Sequence, residues 1–223
     1  YSIKYIQILF LSLQNLYIAD GHHRTASAYK VGQKMRLENP NYTGQEEFNY
    51  FMSVIFSDDE LRINPYNRAV KDLNGYNQEE FLARVGERFD IKVLESLQQP
   101  LNRHEFTMIL ANQYYSLSAK EEIFDEKSIV EALDVSILQD NILAPVLGIE
   151  DIRTDTRIEF FGGDSMLDTI VNRLDKDFKV AFLLYPTQIE EVRAVSDAGN
   201  IMPPKSTWFE PKLMSGLFVH KFS

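Results

Sequence analysis

Apolar residues recur along the chain in runs that switch between a helical and an extended period, so elements can be read before any chemistry is considered. Residues 5–13, Tyr5-Ile6-Gln7-Ile8-Leu9-Phe10-Leu11-Ser12-Leu13, form an apolar run too short to span a bilayer, which reads as a buried strand or helix. Asn15-Leu16-Tyr17-Ile18-Ala19 reads as a buried strand. After Asp20-Gly21, residues 23–37 carry Ala28, Val31 and Met35 at helical spacing, which gives strand, tight turn, helix. Pro40 and Gly44 stop that helix, and residues 48–56 are strongly β-prone up to a surface turn at Ser57-Asp58-Asp59.

Further on, Asn77 with Glu80 forms an N-cap pattern, and Phe81, Val85 and Phe89 repeat every four residues behind it. Strands are predicted over 90–94, 105–110 and 114–117, the last two joined through Ala111-Asn112-Gln113 as a hairpin. Ile129, Leu133 and Ile137 mark a helix over 128–143 that Pro145 ends. Gly162-Gly163-Asp164 opens another, with Leu167, Ile170, Val171 and Leu174 on one face. A strand over 180–185 precedes a helix started by a Thr187–Glu190 capping box, with Ile189 and Val192 facing inward and Gly199 just past its end. A last strand covers 217–222. Helices and strands alternate without strict βαβ regularity, so the pattern predicts an α+β fold of mixed sheets with flanking helices. No repeat, linker or low-complexity tract appears. Residues 1–223 read as one domain, with 118–127 the most polar place for a weak subdivision.

Composition narrows the function classes. Of 223 residues, 44% are hydrophobic and 12% aromatic, enough to build a packed core rather than a disordered chain. The 33 acidic residues against 23 Lys and Arg give a formal charge of -10, which repels a phosphate backbone, and no basic helix-turn-helix pattern is present. Nucleic acid is therefore not an expected partner, and neither is a membrane. The absence of cysteine removes disulfides, thiolate metal sites and cysteine nucleophiles together. With no signal-peptide pattern visible, the expected compartment is the cytoplasm.

Asp20-Gly21-His22-His23-Arg24-Thr25 is the densest group of reactive side chains, placed between a predicted strand and the first turn of a helix. A helix start offers unpaired N–H groups and a positive dipole end, glycine lets the backbone approach an anion, and arginine can fork onto phosphate oxygens. The plainer alternative is that Asp20 caps the helix, one histidine packs and Arg24 pairs with surface acids. Two of the four histidines sit beside this arginine and acid, which favours the anion-binding reading. Adjacent histidines lack the three- or four-residue spacing of helical zinc ligands, so a catalytic zinc site is the weaker reading.

A second cluster, Met202-Pro203-Pro204-Lys205-Ser206-Thr207-Trp208-Phe209, follows the Gly199 stop. It is not a glycine-rich phosphate loop, because Pro204 falls where such a loop needs its second glycine and has no N–H to donate. A proline-stiffened segment presenting an ammonium and two hydroxyls suits a polyanion and suits a rigid crossover equally. Arg68, with Asn67 after a proline, and Asp140, within an apolar helix pattern, are candidates to line a polar cleft, although an ordinary satisfied hydrogen bond is the expected reading for each.

These two clusters, with Leu133-Asp134-Val135-Ser136-Ile137-Leu138, Leu147-Gly148-Ile149, Tyr185-Pro186-Thr187 and Ser215-Gly216-Leu217, resemble the domain-of-unknown-function 1015 family over almost all of the chain after residue 15. Members typically carry an N-terminal portion with an Ala-Pro-Pro-Tyr-Asp motif that this sequence lacks, so the resemblance implies the C-terminal portion of a longer chain. The Asp-Gly-His-His-Arg box is similar to that of the free serine kinases in the ParB/sulfiredoxin superfamily. That similarity implies a ParB/sulfiredoxin-like element around the box and a small-metabolite kinase, transferring phosphate from pyrophosphate or a nucleotide to free serine with Mg²⁺. It further implies that Asp20 orients metal or substrate, and that His22, His23 and Arg24, with Gly21 and Thr25, hold the transferring phosphate. Lys205, Ser206 and Thr207 would bind the donor's far end. The resemblance places the general base in a glutamate upstream of the box. A non-catalytic module sensing a nucleotide or phosphometabolite is the alternative. The acceptor, the donor and the oligomeric state are not readable from these residues.

Overall fold

A computed structural model describes residues 2–163, 166–174, 176–214 and 216–221. It shows mixed α and β structure in two compact units, Tyr1–Leu61 with Pro211–Ser223, and Arg62–Glu210.

In the first unit, α1 (Ile3–Leu11) is capped by Ser2, whose hydroxyl accepts the Tyr5 N–H at 3.3 Å. The apolar run is thus a helix, but not a buried one: each of its residues is exposed. Residues 15–19 form no strand, because no neighbouring segment among the described residues pairs with them, and most of their side chains are exposed. Helix α2 (His22–Glu38) begins one residue earlier and ends one later than its periodicity predicts. Gly32 is its one buried position, and a Cβ there would lie 2.9 Å from the Phe48 carbonyl oxygen. Arg36 Nε donates to Asn49 Oδ1 at 2.7 Å, which ties the same helix to the following loop.

The β-prone stretch 48–56 is not a strand either. Glu46 Oε1 accepts the Thr43 N–H at 2.6 Å and Oε2 the Gly44 N–H at 2.9 Å, which wraps the chain into a turn before a single 3₁₀ turn at Glu47–Asn49. These donors, the Thr43 amide first, hold the Glu46 carboxyl down at about 2. The expected last strand is absent over residues 217–221, and Phe222 lies outside the described residues.

The second unit is built on antiparallel sheets. Its elements run β1 (Arg62–Asn64), β2 (Tyr66–Val70), α3 (Gln78–Gly86), β3 (Phe89–Leu94), β4 (Glu105–Leu110), β5 (Gln113–Ala119), α4 (Asp134–Leu138), β6 (Ile158–Gly162), α5 (Leu167–Arg173), β7 (Val180–Leu184), α6 (Ile189–Asp197) and β8 (Trp208–Glu210). Six strands pair in the order β3-β5-β4-β7-β2-β6, while β1 pairs with β8. Side chains alternate across the central strands: Met108 and Phe182 pack on one face with Phe81, Phe106 and Leu138, and Ile109, Ala181 and Leu183 pack on the other with Phe161, Ile170 and Phe178. Burial on both faces explains why β4 and β7 read as nearly continuous apolar runs.

Local signals account for several boundaries. The Asn77–Glu80 capping box starts α3 as its spacing predicts. Ala111 (φ 48°) and Asn112 (φ 59°) form a two-residue turn, so Gln113 already belongs to β5 and pairs with Leu110. The helix expected over 128–143 is shorter: α4 starts at Asp134, whose carboxylate accepts the His104 N–H at 2.8 Å, and it widens into a π turn over Gln139–Leu143. Gly162 lies in β6 rather than opening a helix, and Asp164 lies outside the described residues. The second capping box is Gln188 with Glu191, one residue later than predicted, because the Thr187 hydroxyl donates instead to the Ser206 carbonyl at 3.0 Å. Gly199 (φ 70°) follows the last turn of α6 as expected. The segment 118–127 lies inside this unit.

Candidate functional site

The box of the first unit is assembled by a glycine-opened helix start. Gly21, at φ 88°, is the residue before α2, and its carbonyl accepts the Thr25 N–H at 2.9 Å, which begins the helical ladder. A side chain would strain this left-handed turn. Asp20 does not cap the helix: its Oδ1 accepts the Gly21 N–H at 2.9 Å, and its Oδ2 receives Lys212 Nζ at 3.4 Å. Among the described residues, no side chain therefore bonds the first-turn amides of α2 as a cap.

The Arg24 guanidinium folds back over the same turn. A Cβ on Gly21 would lie 3.2 Å from Arg24 Nη2 and 3.3 Å from its Nε, so glycine leaves the space that the fork occupies. His22, His23 and Arg24 are exposed, and Thr25 is half-buried. Asp20, His22, His23 and Arg24 thus surround a helix N-terminus in reach of water. Chemically, this arrangement suits an oxyanion: oriented amides, a positive dipole end and a planar cationic fork.

Among the described residues no group of three or more His, Asp or Glu side chains is placed to hold a metal. Asp20 alone can offer one carboxylate, which fits a Mg²⁺ ion carried mainly by phosphate oxygens and water, and does not fit an all-protein cage.

The second unit holds Lys205, Ser206 and Thr207. Lys205 sits at φ 57°, and its ammonium lies 5.8 Å from the centroids of both Tyr66 and Phe160, two rings packed edge to face. The Ser206 side chain is buried and its hydroxyl donates to the Pro203 carbonyl, closing a tight turn. Thr207 is half-buried, and Trp208 packs edge to face on Tyr66 at 5.3 Å. This segment is held from below by Arg68, whose Nη2 donates to the Lys205 carbonyl at 3.0 Å and whose Nη1 donates to the Tyr66 carbonyl at 2.6 Å.

Arg68 makes the hydrogen bonds that its sequence context favours, and it and Asp140 also line a cleft, the less expected of the two readings. The aromatic base under Lys205 was not legible, since Tyr66 and Phe160 are far from it in sequence. A third polar group was also missed. Asp134 Oδ2 is buried without a partner, and burial pushes this carboxyl up to about 7, against the lowering effect of the His104 N–H. His104 itself, at φ 65°, places its Nε2 3.0 Å from the Ala132 carbonyl, and desolvation lowers its pKa. The one available signal was an acid inside an otherwise apolar stretch.

The family described as protein of unknown function (DUF1015) matches residues 1–136. No match is found among curated proteins. Among solved structures, a free serine kinase mutant in complex with AMP is 17% identical with a TM-score of 0.47, over 86% of this chain and 66% of its own. A free serine kinase mutant in complex with ADP is 19% identical (TM-score 0.45), again over 86% of this chain and 66% of its own. A conserved hypothetical protein from Pyrococcus furiosus is 18% identical (TM-score 0.45), over 86% of this chain and 68% of its own. The chain spans about two thirds of the length of these structures. No helix among the described residues is long and apolar enough to cross a membrane.

Proposed function

The chain belongs to the DUF1015 family, and on that premise we propose that the protein is a small-metabolite kinase, transferring phosphate from pyrophosphate or a nucleotide to free serine. The observation that carries this reading is the Arg24 guanidinium folded over Gly21 at the start of α2, beside amides that no side chain among the described residues caps. Phosphoryl transfer asks chiefly for positioning and charge neutralisation, and this constellation supplies both.

In this account Arg24 forks onto two oxygens of the transferring phosphate, the α2 amides take a third, and His22 and His23 add donors at the rim. Asp20 would hold Mg²⁺ together with the donor's phosphates, the ion contributing positive charge. Lys205, Ser206 and Thr207 are a separate candidate anion contact in the second unit; the Lys205 ammonium is exposed, whereas the Ser206 hydroxyl would have to leave the Pro203 carbonyl.

A sensing module that binds a nucleotide or phosphometabolite without turnover is the second reading. It is favoured by one observation: Asp20, the only carboxylate of the box, is already engaged by Gly21 and Lys212, so the box contains no unengaged carboxylate base for a serine hydroxyl. Turnover separates the two. Incubation of the full-length protein with Mg²⁺, serine and a donor yields phosphoserine in the first reading and only donor binding in the second.

A further inference from the structure

A cleft of about 470 Å³ opens in the second unit between α4, the π turn that follows it, residues 150–153 and the Pro203-Pro204 segment. Its volume falls within the range of small-molecule sites. At its floor lies Arg68, which is 1% exposed. Two of its five N–H groups go to the Tyr66 and Lys205 carbonyls, its Nε has no partner, and among the described residues no carboxylate bonds to it directly, Asp134 acting on it only through its field. Desolvation lowers its pKa to about 10, against the raising influence of Tyr66 and of the nearby Asp134 carboxyl, so the guanidinium is only partly compensated by charges of the protein. An anionic group entering the cleft would complete that compensation.

The walls define what else the ligand carries. Asp151 and Arg153 neutralise each other through two hydrogen bonds of 2.9 and 3.0 Å. Asp140 and Glu150 are left as unpaired acids on the lining, and burial raises the Asp140 pKa above its ordinary value. One cation against two anions disfavours a polyphosphate and favours a molecule with one negative and one positive group. Val135, Ile152, Pro203 and Pro204 supply the apolar remainder.

We propose that this cleft binds an α-amino acid with an apolar side chain, its carboxylate on Arg68, its ammonium group toward Asp140 and Glu150, and its side chain among Val135, Ile152 and the two prolines. The site is formed entirely by residues 68–204 and stands apart from the phosphate-transfer reading, because binding needs no phosphate donor.

Isothermal titration of the full chain, without nucleotide or metal, tests it with L-leucine, L-serine, isovalerate, isoamylamine and pyrophosphate. L-leucine is expected to bind, with each singly charged analogue and L-serine about tenfold weaker or more, and with pyrophosphate unable to displace it. Asp140→Asn, at an exposed position that should not perturb folding, is expected to weaken L-leucine about fivefold or more while leaving isovalerate unchanged. Arg68→Met should abolish binding of both; if it fails to fold, Asp140→Asn still decides. Absence of L-leucine binding at millimolar concentration, isovalerate or serine binding as tightly as leucine, displacement by pyrophosphate, or an unchanged affinity in Asp140→Asn would each overturn the proposal.

Discussion

Arg68 and Lys205 are joined by a 3.0 Å hydrogen bond from a buried guanidinium in β2 to the carbonyl of a residue held at positive φ. The side chain of one strand thereby fixes a turn 137 positions away, and the Phe160 ring covers the same guanidinium at 5.6 Å. Arg68→Met should leave the Tyr66 and Lys205 carbonyls without these donors, and after the relief of burying the guanidinium charge is subtracted it should still destabilise the protein by about 1–2 kcal/mol. Arg68→Lys should recover little of this, since one ammonium cannot reproduce the fork. Urea unfolding of the two variants checks both statements; a lysine variant as stable as the native chain would contradict them.

Gly162 is required by Trp208. A Cβ at position 162 would lie 2.0 Å from Trp208 Cε3, inside any allowed contact, so Gly162→Ala must displace β8 or bend β6. The expected cost is about 1–3 kcal/mol or more, visible as a lowered Tm together with a change in tryptophan fluorescence, which reports the single Trp of the chain. An unchanged spectrum would place the indole elsewhere.

The β4–β5 turn holds Ala111 at a left-handed φ of 48° that a Cβ disfavours. Replacing Ala111-Asn112 by Asn-Gly, the pair preferred for two left-handed positions, should stabilise the unit by about 1 kcal/mol. Chemical denaturation of the double variant provides the check, and no gain would mean the turn is not under strain.

Asp134 gives the protein a pH-dependent weakness. Burial raises its carboxyl to about 7, against an ordinary value of 3.8, while the His104 amide, Arg103 and Arg68 pull it down and Glu191 pushes it up. Because the folded state binds this proton more tightly than the unfolded one, the contribution to stability is present below about pH 4 and lost as pH rises towards and through 7. Asp134→Asn keeps an oxygen for the His104 N–H and removes the titration. Its Tm should exceed the native value at pH 8 by roughly a few degrees and match it more closely near pH 4. A variant that is less stable than the native chain at pH 8 would show that the ionised carboxylate is a net stabiliser.

How far the fold was legible varies with where hydrogen-bond partners come from. α3, β4, β5 and β7 were readable because capping and alternation are local, and both central strands are buried on two faces. Residues 15–19 and 48–56 have strand-like composition but no neighbouring strand among the described residues, and β structure depends on that neighbour. In the box, the helix start and Gly21 were legible, but the return of Arg24 over Gly21 and the Lys212 contact to Asp20 are tertiary facts. Arg68 stood out only as a charge beside Asn67 after a proline, whereas the strand that carries it and its carbonyl partner at Lys205 could come only from the folded chain.

The central claim is that the box transfers phosphate through Arg24, and phosphorus NMR tests it most directly. Full-length protein is incubated with Mg²⁺, L-serine and, in turn, ATP, ADP and pyrophosphate, alongside Arg24→Lys and Arg24→Ala. The account predicts an O-phosphoserine resonance with at least one donor, reduced almost as severely by lysine as by alanine because an ammonium cannot fork onto two phosphate oxygens. No phosphoserine with any of the three donors, or full turnover and donor affinity in Arg24→Lys, would contradict it.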